Sequence, residues 1–134
     1  MDFKDPSTWQ ILVIDDEPDM LEVLVMMLET RGIKTLRAAS AAEALNLFNS
    51  EDINLILTDI SMPDMSGWDL LTQIRANENE PDYVPVIAVT AHASTGEEHR
   101  FLEGGFDGYL SKPLRMNVLL DNISSLIEKS GRIS

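Results

Sequence analysis

Two hydrophobic periods alternate along the chain, and the switches between them mark its elements. Gln10-Ile11-Leu12-Val13-Ile14 is a β-branched, almost wholly apolar run, which predicts a central strand. Pro18 then suits the first turn of a helix, where its missing N–H leaves nothing unsatisfied. Leu21, Leu24, Val25 and Leu28 follow at helical spacing, and Gly32 ends that helix. Residues 34–39 predict a second, more polar strand, better placed near a sheet edge. Ser40-Ala41-Ala42-Glu43 is a capping box that opens a helix carrying Ala44, Leu45, Leu47 and Phe48.

The same rhythm continues to the end. Residues 53–58 predict a third strand, apolar on both faces at Leu55-Ile56-Leu57 and ending in Thr58-Asp59. After a loop containing Pro63, Ser66 caps a helix with Leu70, Leu71 and Ile74 inward. Residues 84–90 predict the fourth strand, and Ser94-Thr95-Gly96-Glu97 caps a helix that stops at Gly104-Gly105. Residues 107–111 give a short fifth strand. The last helix carries Val118, Leu119, Ile123, Leu126 and Ile127.

Five strand–helix alternations predict an α/β fold, a doubly wound parallel sheet with helices on both faces. The folded unit is expected to run over 10–130, with 1–9 as a disordered tail. In open α/β sheets ligands bind beyond the carboxyl ends of the strands. Here those ends carry Asp15 and Asp16, Asp59, Thr90 and Lys112. An aspartate closing one strand is readily explained as a cap. Four strand ends with ionisable or hydroxyl groups point instead to one reactive rim.

Composition narrows the chemistry. The 134 residues contain no cysteine, which excludes disulfides, thiolate catalysis and zinc–sulfur sites. No apolar run reaches the roughly 18 residues of a membrane span, so a cytoplasmic protein without membrane contact is expected. A net charge of -13 opposes direct nucleic-acid binding.

Three carboxylates at one rim repel one another unless a cation lies among them. Oxygen ligands without His or Cys favour a hard cation, Mg²⁺ ahead of Ca²⁺. Lys112 would counter additional negative charge, which points to a phosphoryl group as the bound anion. Asp59 would then be the nucleophile, forming an acyl phosphate, and Thr90 would donate a hydrogen bond to its oxygens.

The stretches Val13-Ile14-Asp15-Asp16-Glu17, Leu57-Thr58-Asp59, Met62-Pro63-Asp64-Met65-Ser66-Gly67, Val89-Thr90-Ala91 and Gly108-Tyr109-Leu110-Ser111-Lys112-Pro113 together resemble the response-regulator receiver domains of two-component signalling, including the chemotaxis regulators. The resemblance implies a flavodoxin-like five-stranded sheet of order 2-1-3-4-5. It implies Asp59 as the phosphorylation site, with Mg²⁺ bound by Asp16, Asp59 and the backbone carbonyl of Ser61, and by Asp15 through water. It also pairs Lys112 with the phosphoryl group, makes Lys112–Pro113 cis, and has Tyr109 rotate into the space left as Thr90 moves inward. The surface of the fourth helix, fifth strand and fifth helix would change. The implied partners are a histidine kinase or histidine phosphotransfer protein, a downstream effector and, in a phosphorylation-dependent dimer, a second copy.

The alternative is a Mg²⁺-dependent phosphohydrolase working through an aspartyl phosphate. Such enzymes usually carry a second acid two residues after the nucleophile, where this chain has Ser61. A third reading, a receiver-like module that is never phosphorylated, sits poorly with all five rim residues being present. Trp68 is expected to pack, His92 and His99 to be solvated, and Met20, Met26 and Met27 to fill the core. No output domain is recognisable, so the effect would pass through another protein, or the chain is part of a longer one.

Overall fold

A computed structural model describes residues 5–60, 65–77, 84–90, 100, 103–112, 114–115 and 119–125. Five strands, β1 (Gln10–Ile14), β2 (Lys34–Ala38), β3 (Leu55–Asp59), β4 (Val86–Thr90) and β5 (Gly108–Ser111), form one sheet of order β2-β1-β3-β4-β5. Every pairing in it is parallel, as the alternation of elements predicts. β3 and β4 are buried at all five positions, which is why their sequences are apolar without alternation. β2 lies at an edge and is correspondingly polar.

Three helices, α1 (Pro18–Glu29), α2 (Ala41–Ser50) and α3 (Gly67–Asn77), and a further helical segment over 119–125 cover the sheet. The pleat divides the apolar residues between two cores. Ile11, Val13, Leu55, Leu57, Ile87 and Val89 face α1 and the 119–125 segment, meeting Leu24, Leu28, Leu119 and Ile123. Leu12, Ile14, Ile56, Val86 and Ala88 face α2 and α3, meeting Ala44, Leu70 and Ile74. The helix ends follow the sequence signals. Ser40 Oγ accepts from Glu43 N–H at 3.2 Å, and Ser66 Oγ from Asp69 N–H at 3.2 Å. Gly32 and Gly105 take φ +80° and +107°, the left-handed turn that ends a helix without a Cβ clash.

Several expectations are corrected. Residues 5–9, which the pattern assigns to a disordered tail, carry a short turn and a buried side chain. Asp5 Oδ1 accepts from the N–H and hydroxyl of Ser7, capping a short 3₁₀ turn (Pro6–Thr8) that delivers a fully buried Trp9 into the α1-side core. The absence of hydrophobic periodicity hid it, because one bulky residue needs none. β4 begins at Val86 rather than at 84, because Pro85 has no N–H for the ladder. β3 begins at Leu55 rather than at 53 and runs through Asp59; Asn54 instead accepts the Gln10 N–H on its side chain at 2.8 Å. Met26 is 60% exposed on the outer face of α1, whereas Met27 is buried. His92, His99 and the capping box at Ser94 lie outside the described residues.

Candidate functional site: an acidic rim with one lysine

The parallel sheet puts its strand carboxyl ends along one rim. β1 ends one residue before Asp15, β3 ends on Asp59, β4 on Thr90, and β5 one residue before Lys112. Because β1 and β3 are hydrogen-bonded neighbours, their aspartates converge. One carboxylate oxygen from each of Asp15, Asp16 and Asp59 lies within 4.8 Å of the others. Asp15 is almost fully buried, Asp59 is at the border of burial and Asp16 is half-buried, so the cluster opens to solvent on one side.

Asp15 is held at both of its oxygens. Oδ1 accepts from Glu17 N–H at 3.0 Å, turning the chain toward α1, and Oδ2 accepts from Lys112 Nζ at 3.1 Å. The same ammonium lies 3.7 Å from Asp59 Oδ1. Burial alone would lower the Lys112 pKa, but the hydrogen bond to Asp15 and the charges of Asp15, Asp59 and Glu17 outweigh it and raise it. Lys112 therefore stays cationic throughout the physiological range.

Thr90, the last residue of β4, is buried, and its carbonyl accepts from Lys112 N–H at 2.8 Å. Hydroxyl and ammonium thus come from backbones joined by a single hydrogen bond. Tyr109 lies on β5 opposite Ala88, half-buried against the α2–α3 core. Ser61 and Pro113 lie outside the described residues.

One residue of the site owes its role to space rather than chemistry. Gly67 donates its N–H to Ile60 O at 2.8 Å, and a Cβ there would stand 2.8 Å from Asp59 O. Only glycine allows α3 to start against the backbone that carries Asp59. The sequence shows a glycine closing the loop, but not what it touches. Trp68 beside it packs as expected, edge-on to Phe106 at 4.9 Å between centroids and beneath the Arg100 guanidinium.

All three acidic side chains offer oxygen, with one lysine to balance further negative charge. That donor set suits a hard divalent cation and a bound anion together. Comparison with known proteins decides the family. A family model described as the response regulator receiver domain matches residues 11–124.

The chain is a member of the response regulator receiver domain family.

This receiver domain is 33% identical over 120 residues to the polar-differentiation response regulator DivK of Brucella ovis, covering 90% of this chain and 97% of that protein. Among solved structures it resembles a CheY-like receiver domain protein from Methanospirillum hungatei, with a TM-score of 0.77, 31% identity, and coverage of 92% and 97% of the two chains. The chemotaxis protein CheY4 of Vibrio cholerae shares the fold at a TM-score of 0.80 and 23% identity, over 88% and 98% of the chains. The receiver is accordingly a signalling domain of two-component response regulators. Among its described residues no helix is long and apolar enough to cross a membrane.

Proposed function

We propose that this receiver accepts a phosphoryl group on Asp59 in a Mg²⁺-dependent reaction and thereby switches the surface around β5. The observation that carries the reading is the convergence of Asp15, Asp16 and Asp59 with Lys112 at one rim. Asp16, Asp59 and the Ser61 carbonyl would hold Mg²⁺ directly and Asp15 through water. Bound there, the cation would neutralise charge on the phosphoryl oxygens. An Asp59 oxygen forms the new bond to phosphorus as the bond to the donor breaks, and the donor group leaves with the electron pair. The donor would be a histidine kinase or histidine phosphotransfer protein, and the reader of the switched surface a downstream effector. A cytoplasmic location goes with that reading.

Lys112 moves its charge-assisted bond from Asp15 toward the phosphoryl oxygens, and Thr90 donates its hydroxyl to them. Each such bond contributes about 1.5–3 kcal/mol, or roughly 3–6 kcal/mol gross for the two. Inverting a two-state population needs about 5.5 kcal/mol, so two bonds are of the right size and one is not. Tyr109 would follow Thr90 inward.

Incubation with a small acyl phosphate and Mg²⁺ tests the reading by intact mass. Wild type should gain one phosphoryl group, labile to hydroxylamine, and Asp59→Asn none. The same adduct on the variant would show that the nucleophile is another residue.

A further inference from the structure

At the opposite end of β4 and β5 from the acidic rim lies a second buried cluster of charge. Asp107, whose side chain is 1% exposed, accepts from Val86 N–H at 2.9 Å through Oδ2. Its own N–H donates to Val86 O, also at 2.9 Å. Arg75, in the last turns of α3, donates Nη2 to the same Oδ2 at 3.1 Å and Nη1 to Val84 O at 2.8 Å. We infer that Asp107, clamped by Arg75, is a positioning residue that fixes the register of β5 and so places Lys112 at the rim.

The need for such a pin comes from β5 itself. It is four residues long, and in the described sheet it pairs only with β4. Its apolar pattern specifies register weakly, because Tyr109 and Leu110 both have core-facing positions on opposite faces. A slip of one residue would move Lys112 by about 3.3 Å along the strand. That is as long as its 3.1 Å contact with Asp15, so the slip would break the contact.

Asp107 removes the ambiguity by occupying both backbone groups of one residue, Val86. Only one register allows that match. Any other leaves a buried carboxylate without its guanidinium and two buried backbone groups unpaired, which disfavours it strongly. The clamp bonds to Val86 of β4, which pairs in turn with Ile56, three residues before Asp59 on β3. β5 is held to the sheet through β4, so loss of the clamp should displace Lys112 before it displaces the carboxylates.

This inference rests on the proposed part of Lys112 in phosphoryl acceptance, and its test separates the two. Asp107→Ala, Asp107→Asn and Arg75→Met are each made alone and with Lys112→Ala. Three quantities are read: Mg²⁺ affinity by titration, initial phosphorylation rate with a small acyl phosphate, and amide exchange at Gly108–Ser111. Asp107→Ala should bind Mg²⁺ at least as tightly as wild type, because withdrawing the ammonium from Asp15 and Asp59 removes a competing positive charge. It should also speed exchange in β5 and slow phosphorylation by on the order of tenfold. Adding Lys112→Ala should slow it no further, since both changes remove the same ammonium from the same place. Asp107→Asn, which retains an acceptor for Val86 N–H, should fall between. If Asp107→Ala does not fold, Arg75→Met should give the same ordering.

A merely structural role would weaken Mg²⁺ binding as well and make the two losses additive, and that result overturns the inference. Should Lys112→Ala alone leave the rate unchanged, it is the phosphoryl role of Lys112 that falls. Exchange in β5 then decides the pin by itself: wild-type exchange in Asp107→Ala refutes it, and faster exchange confined to β5 supports it.

Discussion

Two residues at the rim act through opposite extremes of size and charge. Gly67 lies so close to Asp59 O and Ile60 Cα that a methyl group must move backbone rather than side chain. Gly67→Ala should destabilise by about 1–3 kcal/mol, as overpacking does, and weaken Mg²⁺ binding by displacing Asp59. Urea unfolding and a Mg²⁺ titration check this, and wild-type metal affinity would show that the loop absorbs the methyl elsewhere. Lys112 gives a pH signature. Its pKa is higher in the folded than in the unfolded chain, so its stabilisation is complete below the ordinary lysine value of about 10.4 and fades as pH rises through the folded one. In the metal-free protein the stability difference between wild type and Lys112→Met should be flat from neutral pH to about pH 9 and shrink above about pH 10. The convergence of the rim residues was legible because they follow the ends of the buried strands. The Gly67 contact was not, because it depends on where α3 packs.

Among the elements, β4 and β5 would carry the proposed switch, and they are joined at the rim through Thr90 and Lys112. Thr90→Ala should still accept phosphate, because Asp15, Asp16, Asp59 and Lys112 remain. It should lose the differential stabilisation that shifts the population. Amide exchange over 100–112 should therefore change on phosphorylation in wild type and much less in Thr90→Ala. An undiminished change would leave metal and phosphate charge alone as the driving force. Strand and helix identities followed from period and caps, and the sheet order from the family resemblance. What ties β5 to β4 did not, since Asp107 finds its partners 21 and 32 residues earlier. A buried aspartate beside a glycine reads as a turn until Arg75 is seen against it.

For the molecule as a whole, the burial of Trp9 bears on where the folded unit starts. Its side chain is fully buried and its carbonyl accepts from Lys34 N–H, so the turn before β1 closes one end of the α1-side core. Trp9→Ala should cost about 3–5 kcal/mol, measurable as a lower denaturant midpoint, while the acidic rim at the far end keeps its Mg²⁺ affinity. Equal midpoints would return residues 5–9 to the tail. The two outer strands differ in how they meet solvent. β2 exposes Lys34 and Arg37, the latter ion-paired to Glu22 of α1, and β5 is only four residues long. Charge on one border and brevity on the other deny a stray strand a template to extend. A messenger domain can thus be crowded with copies of itself without the sheets zipping into fibrils.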